Sequence, residues 1–66
     1  MDLYYLNNNS QPTGEHEVHK KGCNFMPMNK TELGMHSTCS SAVLKAKLIH
    51  TNVDGCMFCS PNCHTR

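Results

Sequence analysis

Five cysteines are the feature that most constrains how this 66-residue chain can fold. A chain of this length buries so little surface that its apolar core barely offsets the conformational entropy lost on folding. It has no Trp, and two Tyr and two Phe supply all of its aromatic area. Domains this small usually depend on disulfides, a metal ion or a partner chain. We therefore expect one domain, residues 1–66, that is held together through its cysteines.

The odd number of cysteines argues against a pure disulfide framework, because one thiol would be left over. The N-terminal stretch MDLYYLNNNSQ has neither the basic start nor the apolar run of a signal peptide. We therefore expect reduced cysteines and a cytoplasmic location. No apolar stretch approaches the ~20 residues that cross a bilayer, so a soluble protein without membrane contact is expected. We also expect a monomer.

The first third of the chain predicts a β-hairpin. Residues 3–6 are a short β-prone run, and residues 7–14 are rich in the turn formers Asn, Pro and Gly. Residues 15–19 then alternate, so that His16 and Val18 share one face of a return strand. This strand is expected to end near His19, where Gly22 opens a turn into Cys23.

The second half of the chain predicts one short helix followed by a cysteine-rich turn. Residues 24–36 contain Pro27 and Gly34 without a sustained period, which predicts an irregular connection. From Ser37, apolar residues recur at helical spacing for about three turns, and Ser37 or Thr38 is the expected N-cap. These positions are Cys39, Ala42, Val43, Ala46 and Ile49. The predicted fold class is α+β, a hairpin plus one helix.

Two spaced pairs of residues carry the metal chemistry. Cys56 and Cys59 form C-x-x-C, the spacing that lets two thiolates approach one tetrahedral ion from a tight turn, and His19 and Cys23 form H-x-x-x-C. Four nitrogen and sulfur donors in this arrangement indicate one Zn²⁺ ion in a closed structural site. The alternative, a thioredoxin-type redox pair, normally needs a βαβ scaffold far longer than this chain.

Three further residues leave alternatives open. Cys63 or His64 can replace His19 in the ligand set, or both can approach a second ion together with Cys39. Because Cys39 lies on the apolar face of the predicted helix, a buried free thiol is the favoured interpretation for it. For Cys63, a substitute ligand, a thiol near Cys39 and a plain turn residue are all open.

The order of these elements resembles the metal-binding domain of the Ada DNA-repair proteins. The shared features are a hairpin, H-x-x-x-C at the end of its second strand, a Pro-containing connection, a short alanine-rich helix and G-C-x-x-C. The ending C-x-x-C-x-x-x-C-H-T, residues 56–65, is also similar to a set of short stand-alone bacterial proteins. The resemblance spans residues 4–64 and implies a zinc site made by His19, Cys23, Cys56 and Cys59.

His19 departs from the Ada pattern. In the Ada domain four cysteines hold the ion, and the first of them accepts a methyl group from a DNA phosphotriester. His19 stands at that first position, and a neutral imidazole does not offer the electron-rich zinc thiolate on which the transfer depends. The resemblance therefore implies zinc binding without methyl-acceptor activity, and it gives little support to DNA binding.

The sequence favours a zinc-stabilised binding or interaction module, without enzymatic activity and with a partner that the sequence does not identify. The alternative is a nucleic-acid-binding zinc module whose lysines contact phosphates, and a net charge of only +1 argues against it. Its candidate phosphate contacts are Lys20, Lys21, Lys45 and Lys47. A reactive-thiol or alkyl-acceptor protein, with Cys63 or a zinc-bound thiolate as nucleophile, is less favoured, because so small a chain offers little cleft around a substrate.

Overall fold

The computed structural model describes residues 1–65 and has the α+β fold that the sequence predicts. The described residues contain four strands, β1 (Asp2–Asn7), β2 (His16–Lys20), β3 (Lys30–His36) and β4 (Val53–Gly55). One α-helix, α1 (Cys39–Ala46), lies between β3 and β4, and a single turn of 3₁₀ helix (Pro61–Cys63) follows β4. Within residues 1–65, no helix is long and apolar enough to cross a membrane.

The four strands form one sheet in the order β3-β1-β2-β4. The predicted hairpin is confirmed, because β1 and β2 pair in antiparallel fashion with Tyr5 opposite His19. On the other side of β2, the short β4 pairs in parallel, with Val18 beside Gly55. The backbone amide of Cys56 continues this pairing by donating to the carbonyl of Val18 at 2.9 Å. As a result, the start of the C-terminal cysteine cluster lies next to the end of β2.

The prediction of an irregular connection was wrong for residues 30–36, which form β3. This strand pairs with β1 along its whole length, from Asp2 opposite His36 to Asn7 opposite Lys30. Leu33 is its only fully buried residue, and Gly34 has a φ of +91°, next to a shift of register in the pairing. The irregularity breaks the alternation of apolar and polar residues, and this alternation is the usual signal of a half-buried strand.

The helix begins where the sequence predicts. Thr38 is its N-cap, and the Thr38 side chain accepts a hydrogen bond from the amide of Ser41 at 3.2 Å. The helix has eight residues, which is about two turns, and it is therefore shorter than the three turns expected. Ile49 falls beyond its end and is half exposed. Two residues on its inner face, Ala42 and Ala46, are completely buried.

The apolar core lies between α1 and the sheet, and it is small. It consists of Tyr4, Leu6, Val18, Leu33, Ala42 and Ala46, with Cys39, Val43 and Val53 packed against its edge. Two of its six buried members are alanines, which contribute little apolar area. Packing alone is therefore expected to be a weak source of stability, so a chain with this core needs further connections between its elements.

Candidate metal centre

The four predicted ligands come together at the end of β2. His19 lies in β2, Cys23 in the loop that follows it, Cys56 directly after β4, and Cys59 in the next turn. One donor atom from each residue lies within 4.8 Å of all the others, and no other such group of three or more His, Cys, Asp or Glu residues occurs within residues 1–65. The predicted cluster could hold a metal ion.

The spacing of the donor atoms suits a tetrahedral ion. The Sγ atoms of Cys23 and Cys56 are 3.8 Å apart, and Cys59 Sγ lies 3.9 Å from Nδ1 of His19. A tetrahedron with Zn–S bonds of ~2.3 Å has sulfurs about 3.8 Å apart, and a Zn–N bond of ~2.1 Å gives about 3.6 Å between sulfur and nitrogen. These two edges of the site therefore already have nearly the dimensions that zinc requires.

Two tight turns present the cysteines. The amide of Cys23 donates to the carbonyl of Lys20 at 3.1 Å, closing a turn in which Gly22 has a φ of +93°. This backbone conformation is one that glycine adopts without the steric cost other residues meet. The amide of Ser60 likewise donates to the carbonyl of Cys56 at 2.8 Å, which closes the turn holding the C-x-x-C pair. Each turn points its thiols at the end of β2.

Burial disfavours ionisation of two thiols of the cluster, those of Cys56 and Cys59. Burial raises the pKa of Cys56 and of Cys59, because a thiolate loses hydration in the interior. The backbone amide of Lys20 opposes this at Cys59, where it donates to Sγ at 3.3 Å and lowers the pKa. An N–H group directed at sulfur stabilises the thiolate that a metal ion requires.

His19 is suited to bind as a neutral imidazole. It is 1% exposed, and burial lowers its pKa, while the neighbouring Glu17 carboxylate acts in the opposite direction. The neutral ring offers one lone pair, and Nδ1 faces Cys59. The other ring nitrogen, Nε2, lies 3.6 Å from Oε1 of Glu17. The ring thus separates the thiol cluster from a carboxylate.

Cys39 and Cys63 form a disulfide, with Cα atoms 6.2 Å apart. The expectation of a buried free thiol at Cys39 was therefore wrong, and so was the expectation that all five cysteines are reduced. Of the alternatives for Cys63, the structure agrees with the one that places it near Cys39. The odd count of cysteines is explained, because the remaining three are the free thiols of the candidate metal centre, Cys23, Cys56 and Cys59.

His64 lies outside the metal cluster and anchors the C-terminal segment instead. Its Nδ1 is 3.0 Å from the carbonyl oxygen of Gly55 and 3.1 Å from Oδ2 of Asp54. Asp54 is 2% exposed, and its Oδ1 accepts hydrogen bonds from both the amide and the hydroxyl of Thr65, each at 2.9 Å. Sequence reasoning missed Asp54, since an aspartate before Gly55 has the composition of an exposed turn.

An aromatic pair covers the two loops that carry the thiols. The rings of Phe25 and Phe58 stack with centroids 4.3 Å apart, although the two residues are 58% and 65% exposed. Phe25 follows Cys23 by two positions, and Phe58 lies inside the C-x-x-C pair. The two loops are thus in contact outside the candidate metal centre as well as within it.

Comparison of the chain with protein-family models, with curated proteins and with solved structures finds no match. The relation to the Ada metal-binding domain therefore stays a prediction that rests on motif spacing and the order of the elements.

Proposed function

We propose that this protein is a small zinc-binding module in which His19, Cys23, Cys56 and Cys59 hold one Zn²⁺ ion. The observation that carries the proposal is the convergence of four donor atoms within 4.8 Å of one another. Three thiols and one imidazole are a ligand set that zinc favours, whereas magnesium and calcium take oxygen ligands. When bound, the ion supplies the positive charge that stabilises the buried thiolates.

The metal's proposed role is structural. Four side-chain ligands complete a tetrahedral shell, whereas a catalytic zinc keeps one position for water or substrate. The ligands come from the end of the hairpin and from the C-terminal segment, so the ion connects two parts of the chain that are distant in sequence. In zinc-finger peptides such a site contributes ~10 to 16 kcal/mol, comparable to the whole stability of an ordinary domain. We therefore propose a binding or interaction module and no enzyme.

Native mass spectrometry of protein purified without added chelator tests the proposal. We expect one zinc ion per chain, and loss of the cooperative thermal transition in circular dichroism after the metal is removed. Ser37→Ala, an exposed position outside the cluster, is the control that should keep both properties. A chain that carries no transition metal and folds cooperatively without one would refute the proposal, while an iron ion in the same site would refute only the identity of the metal.

One observation favours a second candidate function, the binding of single-stranded nucleic acid. The exposed ring of Phe25, stacked on Phe58, follows in sequence after Lys20, the last residue of β2, and Lys21 in the loop beyond it. Exposed aromatic rings next to cations are the arrangement on which unpaired bases stack. The other two candidate lysines, Lys45 and Lys47, are exposed on and just after α1.

Titration of the zinc-loaded protein into a fluorescent single-stranded oligonucleotide tests this second candidate. Binding through phosphates should weaken steeply as salt rises, and Phe58→Ala should weaken it at constant salt. Leu48→Ala, which removes an exposed apolar side chain just beyond α1, is the matched control. Absence of binding at low salt would leave the zinc module without this function.

A further inference from the structure

The two nitrogens of the His19 ring have different surroundings. Nδ1 faces the thiol cluster, 3.9 Å from Cys59 Sγ. Nε2 points away from the cluster, is shielded from water and makes no hydrogen bond in the described part of the chain. Its charged neighbour is the carboxylate of Glu17, whose Oε1 lies 3.6 Å away. A small movement of either side chain would therefore bring Nε2 within hydrogen-bonding distance of Glu17.

The backbone of β2 holds this pair together. Glu17 and His19 are two positions apart in the strand, so their side chains stand on the same face of the sheet. The Glu17 side chain is 15% exposed and that of His19 is 2% exposed. A carboxylate loses much of its hydration at such a place, so a favourable polar partner is needed there. The buried Nε2 atom has the same need.

The fully buried carboxylates, Asp54 and Glu15, already have other hydrogen-bond partners. Asp54 accepts two hydrogen bonds from Thr65 and lies against His64. Glu15 accepts a hydrogen bond from the hydroxyl of Thr13. Glu17 is thus the carboxylate that is placed to accept a hydrogen bond from Nε2 of His19.

Metal binding through Nδ1 fixes what Nε2 must do. A neutral imidazole that gives the lone pair of Nδ1 to a cation carries its proton on Nε2, and that N–H needs an acceptor. Histidines that bind metals almost always donate this second N–H to a carboxylate, a carbonyl oxygen or water, which fixes the ring and increases the basicity of the ligand nitrogen.

We infer that Glu17 is a positioning residue for the metal centre. It accepts a hydrogen bond from Nε2–H of His19 when the ion is bound, selects the tautomer with a free Nδ1 and holds the ring towards the thiols. This role rests on the proposed zinc site and adds to it a residue that does not touch the ion. No proton leaves the pair; the separation between Nε2 and Oε1 of Glu17 shortens from 3.6 Å to hydrogen-bonding distance when the ion is bound.

Zinc affinities of Glu17→Ala and Glu17→Gln, measured by competition with a chromophoric chelator, test the inference. We expect Glu17→Ala to bind zinc about 10- to 100-fold more weakly than the wild type, as is typical when such an outer partner is removed. Glu17→Gln should lose less, because its amide oxygen still accepts a hydrogen bond but carries no charge. Glu32→Gln, which makes the same change at an exposed position of β3, should leave the affinity unchanged.

Nitrogen NMR of the His19 ring in the zinc-loaded protein separates positioning from a general effect on folding. In the wild type, Nδ1 should show the shift of a metal-bound nitrogen and Nε2 that of a protonated one, with slow exchange of the Nε2 proton with water. In Glu17→Ala at saturating zinc, this exchange should become faster while the backbone spectrum stays that of the wild type.

An affinity of Glu17→Ala within twofold of the wild type, or a metal bound to Nε2 of His19, would overturn the inference and leave the zinc site intact. A wild-type chain that does not bind zinc would instead refute the proposed function itself. The zinc affinity of the wild type therefore distinguishes failure of the inference about Glu17 from failure of the proposed zinc site.

Discussion

Cys39, the first residue of α1, is joined by a disulfide to Cys63 in the 3₁₀ turn after β4, with Cα atoms 6.2 Å apart. The same C-terminal segment carries Cys56 and Cys59, which face the end of β2. The segment is therefore joined to the helix by a covalent bond, and its other two cysteines lie against the hairpin at the candidate metal centre. Because the apolar core is small, these two connections are expected to provide most of the stability.

Loss of the disulfide should weaken the fold without removing the metal. The bond joins residues 24 apart in sequence, and closing a loop of this length restricts the unfolded chain by about 3 kcal/mol. Cys39→Ser, Cys63→Ser and the double variant should therefore each lower the free energy of unfolding by roughly this amount, measured by urea denaturation of the zinc-loaded protein. All three should retain one zinc ion by native mass spectrometry.

Alkylation of the denatured, unreduced protein supplies the control for that experiment. It should label only Cys23, Cys56 and Cys59. Labelling of all five cysteines, or unchanged stability in the double variant, would contradict the covalent connection.

Loss of a metal ligand should have a much larger effect than loss of the disulfide. Cys56 is 1% exposed, and its replacement by serine removes a thiolate from the centre of the cluster. We expect Cys56→Ser to abolish stoichiometric zinc binding and the cooperative unfolding transition, since the contribution of a structural zinc is on the order of 10 kcal/mol. Cys63→Ser is the matched comparison, because it makes the same chemical change outside the cluster. Similar behaviour of the two variants would argue against the assignment of ligands.

Zinc affinity should rise with pH. Burial raises the pKa of Cys56 and Cys59, so near neutral pH both thiols are protonated without metal, and zinc must displace both protons. The apparent affinity should then increase by roughly two powers of ten or more per pH unit between pH 6.5 and 8.5. Burial lowers the pKa of His19, so its proton adds to the competition only at more acidic pH.

Chelator competition across this pH range, corrected for the protonation of the chelator, measures the slope. An affinity independent of pH would mean that the ion is not held by these thiols.

Gly55 should not tolerate even a methyl group. A Cβ atom at this position would lie 2.6 Å from Cβ of Cys63 and 2.8 Å from the carbonyl oxygen of Ser60. Gly55→Ala must therefore push the C-terminal turn away from β4, at a cost of about 1 to 3 kcal/mol in unfolding free energy. It should also weaken zinc binding, since Cys56 is the next residue.

Gly22→Ala is the comparison for Gly55→Ala. It has open space around its added methyl group but a φ of +93°, so its cost should come from the backbone alone and be about 1 kcal/mol. Denaturation of both zinc-loaded variants measures the difference. A smaller loss in Gly55→Ala than in Gly22→Ala would contradict the close packing of the turn against β4.

The local elements and the four cluster residues were accessible from the sequence because their signals lie within a few positions of one another. Turn formers between two β-prone runs predicted the hairpin, and Thr38 ahead of an apolar period predicted the start of the helix. The spacings His19 to Cys23 and Cys56 to Cys59 predicted which residues converge. Each of these inferences depends on backbone geometry over a single turn.

Only the tertiary structure decided which distant residues meet. The strands β3 and β4 form because they pair with β1 and β2, and the sequence around Gly34 and Gly55 gives no strand period. The return of the chain along β4 brings Cys63 to the start of α1 and buries Asp54. The sequence by itself predicted that a chain with so small a core depends for its stability on thiols and an imidazole. The division of the five cysteines between a disulfide and the candidate metal centre follows from contacts between residues far apart in the chain, which no local pattern encodes.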